Sequence, residues 1–142
     1  MMPFDKSLDA ITGMDIEHLI SGKVQESQHL DYKRDPYAKS TDGHRDFLKD
    51  VTAMANAYGG YLVIGVEEDG AGTGIPSAVR HVPEAASECK RLSNVALSSV
   101  DPRVSGLDMR DVTTSKGDVI VVRIPRSGNA PHMVMLGEIR GN

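Results

Sequence analysis

One junction in the chain constrains its fold more than any other. From Thr41 to Ala57, Phe47, Leu48, Val51, Met54 and Ala55 recur at helical spacing, while Arg45, Asp46, Lys49 and Asp50 lie largely away from that stripe. Thr41 or Asp42 supplies a start cap, and Gly59-Gly60 supplies a stop. Two glycines there allow positive φ and close backbone approach, and Asn56 is placed to bond the turn backbone. Tyr61-Leu62-Val63-Ile64-Gly65-Val66 follows as a compact apolar run, the pattern of a strand buried on both faces. Glu67-Glu68-Asp69-Gly70 closes it with a turn signal.

The flanking segments extend this pattern. Met14 to Ile20 has apolar positions at helical spacing and stops at Ser21-Gly22. Gln28 to Arg34 alternates weakly, as a strand does, until Asp35-Pro36 breaks it. Lys39 to Gly43 is a polar connector. Pro83 opens a second amphipathic helix to about Ser98, with Cys89, Leu92, Val95 and Ala96 on its stripe. Strands over Gly106 to Val112 and Asp118 to Pro125, joined at Ser115-Lys116-Gly117, form a hairpin. The order α-β-α-β-α-β-β predicts a mixed sheet flanked by helices, of the α/β or mixed α+β class. A length of 142 residues fits one domain. The ending Ile139-Arg140-Gly141-Asn142 has neither cap nor polar tail, and reads as a cut ahead of a downstream region.

Charge and composition remove several function classes. The net charge is −4, which is not the profile of a protein that coats nucleic acid non-specifically. Its distribution is uneven. Lys23 to Lys49 holds six basic residues among five acids, whereas the first 22 residues are acidic. With no Trp, two Phe and four Tyr, base stacking is a poor expectation, so nucleic-acid contact would be mainly with phosphates. Cys89 is the only cysteine, which excludes an internal disulfide and a cysteine-built zinc site. No run approaches the roughly 18 apolar residues of a membrane helix. The N-terminus lacks a secretory pattern, so a cytoplasmic setting is expected.

Candidate chemistry lies in a few places. Strand alternation puts Asp31 and Lys33 on one side, about 7 Å apart, with His29 on that side and Glu26 just ahead. Converging carboxylates suit Mg²⁺ or Mn²⁺, and a neighbouring ammonium suits a phosphate. A solvent-facing strand has the same spacing, so both readings stand at this point. Glu67, Glu68 and Asp69 end the most apolar strand, where ligands gather in such sheets, although an acidic turn reads identically. Gly70-Ala71-Gly72-Thr73-Gly74 precedes Ile75-Pro76 rather than a helix, so it is not a nucleotide loop. His132, in Ala130-Pro131-His132-Met133, is a candidate base.

Taken together, Glu26-Ser27-x-His29-Leu30-Asp31-Tyr32-Lys33, Ala53-Met54-Ala55-Asn56-x-x-Gly59-Gly60-x-Leu62-Val63-Ile64-Gly65-Val66, Asp69-Gly70 and Gly74 resemble the Schlafen/AlbA-type DNA-binding domain, also called divergent AAA-4. Ile124-Pro125-Arg126-Ser127-x-x-Ala130-Pro131-His132 is similar to its closing strand and Pro-containing turn. The resemblance implies an N-terminal helical extension over 1–22 and a nucleic-acid-binding domain over 23–142. In Schlafen-type members three acids support metal-dependent cleavage of RNA, notably tRNA and rRNA. Many prokaryotic members are DNA-binding modules ahead of a regulatory or winged-helix region. Carried over, the acids fall on Glu26, Asp31 and Glu68 (Glu67 if the turn shifts), holding Mn²⁺ or Mg²⁺, with Lys33 as the lysine. Asp31 stands where the pattern has Glu, and Glu68 where it usually has Asp. The zinc-binding Cys and His residues of animal members are absent. Lys33, Arg34, Lys39, Arg45 and Lys49 would contact phosphates of RNA or DNA. A non-catalytic module of a regulator or defence protein, and a homodimer, are the other expectations.

Overall fold

In a computed structural model that describes residues 2–128 and 131–135, each element begins from a local signal. A 3₁₀ turn at Leu8–Ala10 leads to Thr12 and Asp15, which form a reciprocal capping box and start helix α1 (Gly13–Ser21). Strand β1 (Leu30–Lys33) is shorter than the 28–34 expectation, because Ser27 and Leu30 bridge each other across a tight turn. Ser40, not Thr41 or Asp42, caps helix α2 (Thr41–Asn56), its Oγ accepting from the Gly43 N–H at 3.1 Å. Then follow β2 (Gly60–Ile64), β3 (Val66–Glu68), β4 (Pro76–Val79) and helix α3 (Ala85–Ser99). The chain continues through β5 (Val100–Asp101), β6 (Asp108–Thr114), β7 (Gly117–Ile124) and β8 (Met133–Val134).

The principal sheet has the order β1-β2-β7-β6, with β1 parallel to β2 and the other pairs antiparallel. It is the mixed sheet with packed helices that the segment order implied. The strand residues alternate between two apolar layers. Leu62, Ile64, Ile120, Val122 and Ile124 pack with Phe47, Leu48 and Val51 of α2 and Leu92 of α3. Tyr61, Val63, Val119 and Val121 face the N-terminal segment, with Ile11, Ile16 and Leu19. Phe4 meets Tyr61 edge-on, ring centroids 4.9 Å apart. Residues 4–19 therefore cover the second face of the sheet. Among the described residues, no helix is long and apolar enough to cross a membrane.

Several details depart from the sequence expectation. The apolar run 61–66 is not one strand. Gly65, at φ 108, lets the chain leave the principal sheet for the small β3–β4 sheet, and a Cβ there would lie 2.9 Å from the Arg80 carbonyl. Helix α3 starts at Ala85, with Glu84 as its cap in the left-handed region, rather than at Pro83. The short strands β4, β5 and β8 carry too few residues for a period to register. Gly60 is needed for close approach: a Cβ would lie 2.4 Å from the His29 carbonyl. Asn56 does not bond its own turn. It clasps the backbone of His132, accepting from its N–H at 2.8 Å and donating to its carbonyl at 3.4 Å. The His132 ring is buried between the Pro102 carbonyl and the Ser127 hydroxyl, so it anchors the tail and is not an available base. Ala130 and the Ile139–Asn142 ending lie outside the described residues.

Arg110 fastens the N-terminal layer to β6, since its Nη1 reaches the carbonyls of Leu8, Asp9 and Ile11 at 2.9–3.0 Å. Arg110→Ala is expected to lower the unfolding free energy by about 2 kcal/mol, the scale of lost hydrogen bonds to a charged group. In urea titration the midpoint falls, and amide exchange accelerates first in residues 4–11.

Candidate functional site

Strand β1 is an edge of the principal sheet, and its exposed edge is where the site is built. The carbonyls of His29 and Lys33 point inward and accept from Tyr61 and Gly65. The Tyr32 N–H points outward, and Glu26 Oε2 accepts it at 2.9 Å. A side chain thus occupies a donor that another strand would otherwise use. The same contact fixes Glu26 beside Asp31. Alternation buries Leu30 and Tyr32, and leaves Asp31 and Lys33 half-buried on the opposite side.

The glycine-rich stretch has a use that composition did not reveal. The N–H groups of Gly72 and Gly74 each donate at 3.1 Å to an oxygen of Glu68. The Glu26 N–H donates to the Gly74 carbonyl at 2.8 Å, and Gln25 Nε2 donates to Thr73 at 3.1 Å. The loop cradles a carboxylate of its own chain and ties Glu68 to the segment carrying Glu26. Glu67 pairs instead with Arg80 at 3.8 Å. Glu26, Asp31, Lys33, Arg34, Glu67 and Glu68 all line one cavity of about 670 Å³.

Burial pushes the Glu26 carboxyl up to about 7 from an ordinary 4.5. A hydrogen bond to Asp31 and the negative charges of Asp31 and Glu68 add to this, against the Tyr32 N–H. Glu26 therefore keeps its proton to a higher pH than an ordinary carboxyl, hydrogen-bonded to Asp31. The third acid does not join them at one point. Among the described residues, no three His, Cys, Asp or Glu side chains stand in a metal-holding arrangement. Glu68 is near enough to be felt as charge, while its oxygens rest on the loop amides.

The predicted phosphate contacts are more neutralised than their positions along the chain implied. Lys33 Nζ lies 3.3 Å from Asp31 Oδ2 and 3.6 Å from Asp50 Oδ2. Burial works against its ammonium form, but the two carboxylates outweigh burial and hold its pKa above the ordinary value. Arg34 pairs with Asp35 at 3.4 Å and Arg45 with Asp42 at 3.3 Å. Lys39 and Lys49 are exposed. His29 is set apart from the acids: its Nδ1 lies 3.3 Å from the Gly59 carbonyl and its ring meets Tyr58 edge-on. Two residues that the sequence did not single out belong to this region. Asp50 projects from α2 to Lys33, and the Tyr37 hydroxyl donates to Asp50 Oδ2 at 2.5 Å. No sequence signal marks Asp50, since it reads as one more charge on the outer side of a helix.

A mixed sheet covered on both faces, with an acid–lysine cleft at its parallel edge strand, defines the class of domain. The profile of the Schlafen, AlbA_2 family matches residues 26–139, and the chain belongs to that family. The fold recurs in solved structures. The N-terminal domain of an ATP-dependent DNA helicase RecG-related protein from Nitrosomonas europaea aligns over 89% of this chain and 82% of its own, at 12% identity and a TM-score of 0.63. The DIP2311 protein from Corynebacterium diphtheriae aligns over 82% of this chain at 18% identity and a TM-score of 0.51, and this chain spans 22% of its length. None of the curated proteins matches the chain.

The carboxyl pair gives stability a definite pH dependence. Between 4.5 and 7 the folded chain holds a proton at Glu26 that the unfolded chain releases. The contribution of this site to stability therefore falls as pH rises through that window, and levels off above it. Urea unfolding across the window should show the fall in the wild type. Glu26→Gln should remove it, whereas an equal slope in Glu26→Gln would assign the fall to other groups.

Proposed function

We propose that this chain is a nucleic-acid-binding domain whose acidic cleft cleaves a phosphodiester backbone, structured RNA such as tRNA before duplex DNA. The observation that carries the reading is the Glu26–Asp31 carboxyl pair, hydrogen-bonded together beside Lys33 in one cavity. Family membership supports the link to nucleic acid, and the RecG-related neighbour bears a DNA helicase in its own name. Carboxylates in contact require a shared proton or a cation between them, and oxygen donors of this kind fit Mg²⁺ or Mn²⁺. Glu26 and Asp31 would hold that ion. Glu68 would become a third ligand only by moving toward them, since among the described residues no three acids stand in a metal-holding arrangement. When bound, a divalent cation supplies positive charge that polarises a phosphoryl oxygen.

The chain's own groups do the rest. The Lys33 ammonium binds and orients a phosphate oxygen, and exposed Arg34 extends that contact at the cavity rim. The Glu26 carboxyl gives up its proton near neutral pH, which would free it to hold the ion beside Asp31. Incubation of the protein with tRNA and Mn²⁺ should give discrete fragments, and Asp31→Ala should lower their rate by roughly 100-fold or more. Fragments undiminished in Asp31→Ala would remove the cleft from the reaction.

A second reading, binding without cleavage, is favoured by the absence of a three-ligand arrangement among the described residues. Binding to labelled RNA or DNA would then weaken steeply with salt, while no fragments form in wild type with either metal. A partner role as a homodimer is tested in the same preparation by sedimentation.

A further inference from the structure

Lys33 is over-compensated. One ammonium faces two carboxylates, Asp31 and Asp50, so the place assigned to a substrate phosphate carries a net negative charge before any substrate arrives. The two acids are not equivalent. Asp31 sits two residues from Lys33 on the same strand and belongs to the pair with Glu26. Asp50 comes from the middle of α2, whose Phe47 and Val51 are fully buried, so the helix cannot roll to retract it. Its carboxylate is also held from behind. The Tyr37 hydroxyl donates to the same oxygen that faces Lys33, and the Tyr37 ring packs edge-on against Phe47, 5.2 Å between centroids. Asp31 and Asp46, together with Asp50, bring negative charge close to the Tyr37 hydroxyl, and Lys33 is the cation set against Asp50. Asp50 also lines a second cavity of about 590 Å³ that shares Lys33 and Arg34 with the first, so it stands at the junction of the two.

We propose that Asp50 is a built-in competitor of the substrate phosphate: it occupies Lys33 in the free protein, and the Lys33 ammonium turns from this fixed carboxylate to a nucleic-acid phosphate when one enters. The proposal rests on the reading of Lys33 as a phosphate contact. Asp50 is then a positioning residue that sets affinity, and Tyr37 is its buttress. A role confined to holding α2 against β1 makes a different prediction, because neutralising Asp50 would then weaken binding or leave it unchanged.

The test uses the whole chain with a short fluorescein-labelled single-stranded RNA, at low salt and with chelator to prevent cleavage. Asp50→Asn keeps size and an acceptor oxygen for Tyr37, so the fold is retained. Asp46→Asn removes one charge from the same cavity without touching Lys33, and serves as the control. Asp50→Asn should tighten binding by roughly fivefold, the scale of removing one like charge at about 4 Å in water. Asp46→Asn should tighten it less, and the Asp50→Asn gain should vanish in Lys33→Met. Equal gains at the two positions, or a gain that survives Lys33→Met, would overturn the proposal. If wild-type binding is indifferent to Lys33→Met, the functional reading fails first. The Lys33 side-chain NMR resonances under titration with inorganic phosphate then decide the inference separately. Saturation at lower phosphate in Asp50→Asn than in wild type supports it, and identical curves refute it.

Discussion

The hydrogen bond from the Tyr32 amide to the Glu26 carboxyl joins the architecture of this chain to its chemistry. An edge strand leaves outward N–H groups open, and one of them is met here by an acid rather than by another strand or water. The acid is therefore drawn into a half-buried position against Asp31. Held there, Glu26 keeps its proton to about pH 7, through burial and through the hydrogen bond and charge of Asp31. The glycine loop repeats the device on the other side, with backbone amides holding Glu68. Both acids are positioned by main chain, which a sheet edge and a tight loop can supply without a large core.

The site depends on a sheet covered from both sides. Helices α2 and α3 cover one face, and residues 4–19 cover the other, ahead of the family match at 26–139. Tyr32 shows the link directly. Its ring lies in the second apolar layer, its hydroxyl donates to the Val24 carbonyl at 2.7 Å, and its amide holds Glu26. Loosening the N-terminal layer would shift the strand that carries Asp31 and Lys33. Fold and cleft are coupled through a few residues of β1.

Much of this was legible in the chain. The periodicity of Phe47, Leu48 and Val51 marks α2, and the apolar run after Gly60 marks the buried strand, because both patterns repeat over several residues. The hairpin of β6 and β7 follows from two runs and a turn. Contacts between distant segments were not legible. Nothing in the sequence says that Asn56 meets His132, 76 positions away, or that Gly72 and Gly74 bind Glu68. The basic stretch from Lys33 to Lys49 was visible as charge. The pairing of Lys33, Arg34 and Arg45 with Asp31, Asp35, Asp42 and Asp50 depends on where the folded chain places each partner. The pairing of Glu26 with Asp31 lies between these cases, since spacing brought the two near and only the Tyr32 amide brought them together.

The central claim is that Glu26, set against Asp31, keeps its proton to about pH 7, and the proposed function adds that a divalent cation would take that proton's place. Carbon-detected NMR titration of the Glu26 carboxyl tests it most directly, run with and without Mg²⁺. The account predicts a midpoint at about 7 in the absence of Mg²⁺ and a clear downward displacement in its presence. A midpoint at the ordinary 4.5, unmoved by Mg²⁺, would contradict it.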